Sequence, residues 1–255
     1  MLIIRPKLTA FLFTCTLILC SLSASSATVE PEKTSSATTM PTFSIRYKVE
    51  NDFITGGEAK FRLSKKDQQY QLLLETKPTG VFRLSRKGKI REVAVLPSLS
   101  APFLSEKYSY TNYGDRDRSY TSTFDRHSGE ATVLRDSKTT NIAIESNALD
   151  RLSMTLAIMH LLREKPDIEK FSIDSIDTRG TKTLNFVSRG EVQLRTDIGT
   201  LTATRIDRQR SNSNRKTITW FAALGPDSLP IPVQIEQYKD NKLKLRMKID
   251  KFSSN

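Results

Sequence analysis

The sequence predicts a mainly β fold: a large curved antiparallel meander sheet, or an open or half barrel, with one apolar helix packed in its concavity. Apolar and polar residues alternate with a period of two in many short segments, as in FSIRYKVE at 43–50, which is typical of strands with one buried face. Short polar connections join these segments and favour antiparallel neighbours. One stretch, ALDRLSMTLAIMHLL at 148–162, breaks the alternation and has the apolar spacing of a helix.

The first 27 residues have the pattern of a secretory signal peptide. Arg5 and Lys7 precede an apolar run over 8–20, and small residues then lead to Ala27, as before a signal peptidase site. The run is shorter than the ~20 apolar residues that a permanent membrane helix needs. We therefore expect export to the periplasm, with cleavage near Ala27 and no transmembrane segment in the mature chain. Cys20 offers a lipid anchor as an alternative, but it follows a leucine where a lipidation signal needs a small residue.

The rest of the chain divides into a leader and one domain. Residues 28–42 are rich in Ser, Thr and Pro, which predicts a disordered leader. Residues 43–253 have the length and the alternation of a single β-rich domain. Both cysteines, Cys15 and Cys20, lie in the predicted signal. The mature chain would therefore fold without disulfides.

The mature chain is strongly basic, with 38 Lys and Arg against 28 Asp and Glu and a net charge near +10. The basic residues cluster at 83–91, 115–118 and 205–216. One interpretation is that these clusters are solvated hairpin tips and strand faces. The other is that they attract anionic envelope partners, such as lipid head groups or polyanionic glycans. The clusters contain no recognition helix or RNA-binding motif, so nucleic acid is not a predicted partner.

The helix is expected at about 148–163. Asn147 is the predicted N-cap, Asp150 lies near the N-terminus, and Arg163 and Pro166 mark the end. The apolar residues cover most of the circumference, which predicts burial on several sides. One stripe of them consists of Leu149, Leu152, Leu156 and Met159. The helix is then either a permanent core element or the wall of an apolar pocket in the concavity.

The sequence contains none of the common metal-binding, catalytic or nucleotide-binding motifs. The sequence has two histidines, His127 and His160, and no HExxH spacing. We therefore predict no metal site. Without a GxSxG elbow, a Walker loop or a GxGxxG, no catalytic residue or cofactor is assigned, and the protein is not expected to be an enzyme. The acids of DRDRSYTSTFDR at 115–126 alternate with arginines, which is typical of surface ion pairs.

Aromatic residues offer two interpretations. Tyr108 and Tyr110 share a strand face, and Trp220 stands near a strand end. Such residues form cross-strand pairs or core anchors, but they also line pockets for lipid or sugar. The candidate ligand-binding residues are Leu152, Leu156, Met159, Tyr108, Tyr110 and Trp220.

Three stretches resemble one bacterial family. RKGKIREVAVLPS at 86–98 is similar to its Gly-x-Ile and Leu-x-Pro hairpin, and DRLSMTLAIMHLL at 150–162 to its Asp-x-Leu-Ser helix start. WFAALGPDSLPIPVQIEQ at 220–237 resembles its pattern of Trp, a turn and a Pro-led strand. The family is the periplasmic domain-of-unknown-function family three-one-zero-eight. The resemblance implies an exported, largely antiparallel protein without assigned activity, similar in outline to the half-barrels of periplasmic lipoprotein carriers.

Three functions are consistent with these observations. The first is a soluble periplasmic protein that holds an apolar or anionic amphipathic envelope molecule, a lipid for example, against the helix. The second is an envelope protein-interaction scaffold without a small ligand, which a filled concavity and an exposed apolar patch would favour. The third is a glycan-directed hydrolase, which needs two carboxylates ~5–10 Å apart that meet in space rather than along the chain.

Overall fold

Burial alternates along the strands as the sequence predicts. A computed structural model of the protein describes residues 40–51, 54–80, 88–114, 118–209 and 213–254. Phe43, Ile45 and Tyr47 of the first strand are buried. Arg46 and Lys48, at alternate positions of the same strand, point outwards. The strands of the described chain are β1 Phe43–Asn51, β2 Ile54–Lys66, β3 Gln69–Pro78, β4 Ile90–Leu96, β5 Lys107–Asn112, β6 Tyr120–Asp125, β7 Glu130–Arg135, β8 Lys138–Ala143, β9 Lys170–Asp177, β10 Gly180–Thr196, β11 Gly199–Gln209, β12 Arg215–Leu224, β13 Leu229–Lys239 and β14 Lys242–Ser254.

All these strands belong to one antiparallel meander sheet. Strands β8 to β1 lie side by side, β1 pairs with β14, and β14 to β9 complete the sheet. In the described residues β8 and β9 form no ladder with each other, so the barrel is open at these two edges. The predicted fold class, a large curved antiparallel sheet or open barrel, is confirmed.

The segment that follows β8 lies along one free edge before it enters the lumen, the concave interior of the sheet. The backbone N–H of Leu149 donates to the carbonyl oxygen of Asp174 on β9 at 2.7 Å. The N–H of Ile176 donates to the Leu149 carbonyl oxygen at 2.9 Å. These bonds satisfy edge groups that would otherwise be open to another chain. They also place the start of the helix, α1 Ser153–Glu164, against the lumen.

Asp150 caps this helix. Its carboxylate accepts the backbone N–H groups of Leu152 at 2.7 Å and Ser153 at 3.1 Å. It also accepts the hydroxyl of Ser105 at 2.7 Å and that of Ser153. The predicted cap at Asn147 and the predicted start near 148 are therefore wrong. Leu149 is needed at the sheet edge, and the capping carboxylate, that of Asp150, comes directly after it.

The helix packs in the concavity, as predicted. Leu156 and Met159 are completely buried, and Met154, Ile158 and Leu162 are nearly so. α1 is 12 residues long, and no helix in the described ranges is long and apolar enough to cross a bilayer.

Packed structure begins within the predicted leader, before residue 43. Met40 is 2% exposed and belongs to the hydrophobic core. The predicted signal peptide at 1–27 and the leader over 28–39 lie outside the described residues.

The β10–β11 hairpin reaches across the outer face of the sheet. The register of its strands shifts around Gly190, whose φ is 75°, and the carboxylate of Asp197 at its tip lies 2.8 Å from Nζ of Lys48 on β1. Trp220 and Glu236 alternate with the lumen-facing residues of β12 and β13, and yet they are buried. This part of the sheet is therefore covered on both faces.

Candidate functional site

An apolar cavity of about 120 Å³ lies between α1 and the concave face of the sheet. The helix side contributes Leu152, Met154, Thr155 and Ile158. The sheet side contributes inward-facing residues of both halves: Phe61, Leu74, Phe186, Ile206, Phe221 and Met247. This wall follows directly from the period-two alternation, because each strand presents its apolar phase to the lumen.

A second cavity, the basic vestibule, adjoins the first and measures about 300 Å³. The two cavities share lining residues: Arg151, Met154, Arg208, Thr217 and Gln237. The charges that line the vestibule are predominantly positive. They belong to Arg151, Lys182, Arg208, Arg215, Lys216 and Asp177. The apolar cavity and this predominantly cationic one thus share part of one wall. Two of the cations are paired with carboxylates, Lys182 with Asp177 and Lys216 with Asp207.

Arg151 lies where the two cavities join. Its side chain is 54% accessible, but since it lines both cavities, the water that it meets is lumen water. A guanidinium nitrogen lies 3.2 Å from Oε1 of Glu92 on β4. Glu92 is only 2% exposed, and its Oε2 accepts the Tyr108 hydroxyl at 2.5 Å. Glu92 therefore fixes Arg151 to the sheet wall and leaves much of the guanidinium open to the lumen.

The electrostatics keep Arg151 charged and the tyrosines beside it neutral. The charge of Glu92 raises the pKa of Arg151, although partial desolvation inside the lumen opposes this effect. Burial raises the pKa of Tyr108, and the charge of Glu92 adds to the rise. Burial is also the main reason that the pKa of Tyr120 rises to about 12. At neutral pH the cluster consequently presents a cation and neutral phenols that donate hydrogen bonds.

The tyrosines also form the cross-strand pairs that the sequence analysis allowed. Tyr110 stands directly opposite Tyr120, and the two rings stack with centroids 5.7 Å apart. The guanidinium of Arg135 lies 5.6 Å from the centroid of the Tyr120 ring. Tyr120 lines the vestibule as well, so this side chain both pairs across strands and lines a cavity.

The structure separates the six predicted ligand-binding residues into groups. Leu152 lines the apolar cavity, whereas Leu156 and Met159 are completely buried and line neither cavity. Tyr108 and Tyr110 lie on the lumen wall beside Glu92. Trp220 on β12, the sixth residue, faces outwards, on the face opposite the helix. The centroid of its ring lies 5.9 Å from the Arg205 guanidinium.

Sequence reasoning missed the charged residues of the site. Glu92 occupies the same inward phase of β4 as Ala94 and Leu96, and Arg208 follows Ile206 in the inward phase of β11. A charged residue in the apolar phase of a strand is the signal that could have found them, because buried charges are rare unless they are paired or functional. The prediction of no metal site stays a prediction, and in the ranges that the structure covers no three His, Cys, Asp or Glu side chains come together as metal ligands.

Comparisons with known proteins agree with this architecture. No curated protein matches the chain. A solved structure with a similar fold is a "beta-barrel-like protein of domain of unknown function DUF1849" from Brucella abortus, with a TM-score of 0.52 and 9% identity. The match covers 85% of this chain and 99% of that one, and it supports the open-barrel outline alone. The model of the family described as "Protein of unknown function (DUF3108)" matches residues 42–248. This is the family that the three sequence stretches resembled, and the chain belongs to it.

Proposed function

We propose that the protein binds an anionic amphiphile in the lumen, with the apolar tail along α1 and the head group in the basic vestibule. The observation that carries the proposal is the junction of the two cavities at Arg151. A neutral apolar ligand would not need the cations, and a fully polar anion would not need the apolar wall.

The apolar tail of the ligand must either be short or displace side chains that line the apolar cavity. The apolar cavity of about 120 Å³ is smaller than the ~300–1,000 Å³ of ordinary ligand pockets. Met154 lines both cavities, and an unbranched thioether side chain changes rotamer easily. Rearrangement of Met154 would lengthen the apolar cavity along the helix.

The head group is recognised by arginine chemistry. A guanidinium binds a carboxylate or a phosphate through two parallel hydrogen bonds. Arg151 uses one edge for Glu92, and Arg208 donates to the Thr217 hydroxyl at 2.9 Å. Both side chains line the vestibule, together with Lys182 and Arg215. We propose a binding protein rather than an enzyme, acting in the periplasm as the predicted signal peptide indicates.

The test compares three ligands with the same tail: octyl phosphate, octanoate and 1-octanol. In calorimetric titrations we expect the two anions to bind more tightly than the alcohol. The variant Arg151→Gln should lose roughly 10- to 100-fold in affinity for octyl phosphate and little for 1-octanol. A hydrogen bond to a charged group contributes about 1.5–3 kcal/mol, and 1.4 kcal/mol is tenfold.

Two further variants separate the head from the tail. Thr155→Phe enlarges a side chain that lines the apolar cavity and should weaken all three ligands alike. Lys165→Gln removes an exposed charge just after the helix and should change nothing. Equal affinities of Arg151→Gln and wild type for octyl phosphate would contradict head-group recognition. Absence of binding to the folded wild type would contradict the lumen proposal and favour the scaffold function.

A further inference from the structure

We infer that the outer face of β2, β1 and β14 carries a second anion site, a trough that binds phosphoryl groups independently of the lumen. The trough consists of two adjoining depressions of about 350 and 240 Å³ that share Ser44 and Ser253. Its polar lining is Thr42, Ser44, Arg46, Lys60, Arg62, Ser64, Lys65, Lys251 and Ser253. These residues supply five cations and four hydroxyls, and no carboxylate is among them.

The strand register brings like charges together. Arg46 on β1 stands directly opposite Lys60 on β2 and directly opposite Lys251 on β14. Like charges that face each other across strands destabilise a sheet. Asp250, at the register shift in β14, pairs with Arg46 at 2.5 Å, and it offsets part of this repulsion. A bound anion between the three strands would offset the rest.

The neighbouring row supplies the hydrogen-bond donors. Ser44 stands opposite Ser253 on one side and opposite Arg62 on the other. The Nε atom of Arg62 is buried and has no hydrogen-bond partner among the described residues. An orphaned guanidinium nitrogen beside two hydroxyls is an incomplete donor set. Arg62 itself lines the trough, so its guanidinium can donate to an acceptor group that binds there.

A phosphoryl group matches this lining. It carries up to two negative charges and three strong acceptor oxygens. Its usual protein contacts are the charged groups of Lys and Arg and the hydroxyl of Ser. A carboxylate carries one negative charge and two oxygens, so it matches five cations and four hydroxyls less well than a phosphoryl group does. The phosphoryl group could belong to a soluble phosphate ester or to a lipid head group, and the two sources share this chemistry.

The experiment titrates the full-length mature protein with glycerol 3-phosphate and, separately, with vesicles of phosphatidylglycerol or phosphatidylcholine. Backbone amide shifts of Ser44, Ser64 and Ser253 report the location of the soluble ligand, and co-sedimentation reports the vesicles. We expect saturable shifts at these serines. Vesicle binding restricted to phosphatidylglycerol would assign the site to a lipid surface, whereas binding of glycerol 3-phosphate without the vesicles would assign it to a soluble ester.

A charge-matched pair of variants decides whether the trough or the general positive charge is responsible. The triple variant Lys60→Gln, Arg62→Gln, Lys251→Gln should lose at least tenfold in affinity. The control Lys138→Gln, Lys170→Gln, Lys242→Gln removes three exposed charges elsewhere and should stay within twofold of wild type. Ser253→Glu places a carboxylate in the trough at an exposed position and should weaken binding even if the triple variant fails to fold.

The inference is overturned if the triple variant and its control lose the same affinity, or if neither ligand form binds. It is also overturned if glycerol 3-phosphate shifts only the vestibule residues around Arg208 and Arg215. Failure of this site and failure of the lumen proposal are distinguishable, because the trough and the two lumen cavities share no lining residue.

Discussion

Replacing Asp150 by Ala is expected to lower the free energy of unfolding by about 2–4 kcal/mol. The substitution removes the helix cap, which contributes about 0.5–2 kcal/mol. It also leaves the hydroxyls of Ser105 and Ser153 buried without their acceptor, at about 1–3 kcal/mol for such a group. Urea unfolding followed by circular dichroism measures the change.

The matched control for this prediction is Asp150→Asn. Asparagine keeps one oxygen that can accept the N–H groups of Leu152 and Ser153, and it loses the second acceptor, which serves the hydroxyls. The expected loss is therefore about half that of the alanine variant. An alanine variant within 0.5 kcal/mol of wild type, a change on the order of ordinary surface substitutions, would show that the cap does not hold the helix.

Leu156→Ala should be comparably destabilising, at about 2–5 kcal/mol, because it opens a cavity in a well-packed interior. Leu156 is completely buried and lines neither cavity, so a folded variant should bind amphiphiles as wild type does. Thr155 is the adjacent residue, half-buried and lining the apolar cavity. Thr155→Ala should cost less than about 1 kcal/mol and should change ligand affinity.

Thermal unfolding together with calorimetric titration separates these two effects. If Leu156→Ala lost little stability and much affinity, the assignment of this residue to the core rather than to the cavity wall would be wrong. The same pair of measurements therefore tests which side of α1 faces the ligand.

The strands could be predicted because a sheet with one buried face leaves a period-two pattern in each segment separately. Tight turns add local signals of their own, such as Asp240 and Asn241, whose φ values of 53° and 56° suit a two-residue hairpin. The pairing of β1 with β14 has no such signal. It joins the two ends of the described chain, and nothing in either segment alone identifies the partner.

The helix start shows where local chemistry is ambiguous. Asn147 and Asp150 are both good capping residues, and the two intervening positions do not decide between them. The choice is made by tertiary contacts: Leu149 pairs with the edge of β9, and Ser105 donates to Asp150. A pattern along the chain cannot contain contacts that arise between distant segments.

Trp220 and Arg151 illustrate the same limit for the site. Trp220 could not be assigned to a face, because the β10–β11 hairpin reaches across the outer surface and makes both faces of β12 suitable for apolar residues. Arg151 has an ordinary position at a helix start until Glu92 is placed beside it. The inward phase of Glu92 was visible in the sequence, and its partner was not.

The position of the β1–β14 pair has a consequence for folding kinetics. Within each half of the sheet, every strand pairs with its sequence neighbour, so these ladders can form after closure of short loops. The central ladder joins Phe43 to Ser254, and the entropy of closing such a long loop must be lost before its bonds form. Such non-local contacts slow folding. The two half-sheets should therefore form first as independent meanders, and their joining at the middle of the sheet should be the slow step that creates the lumen.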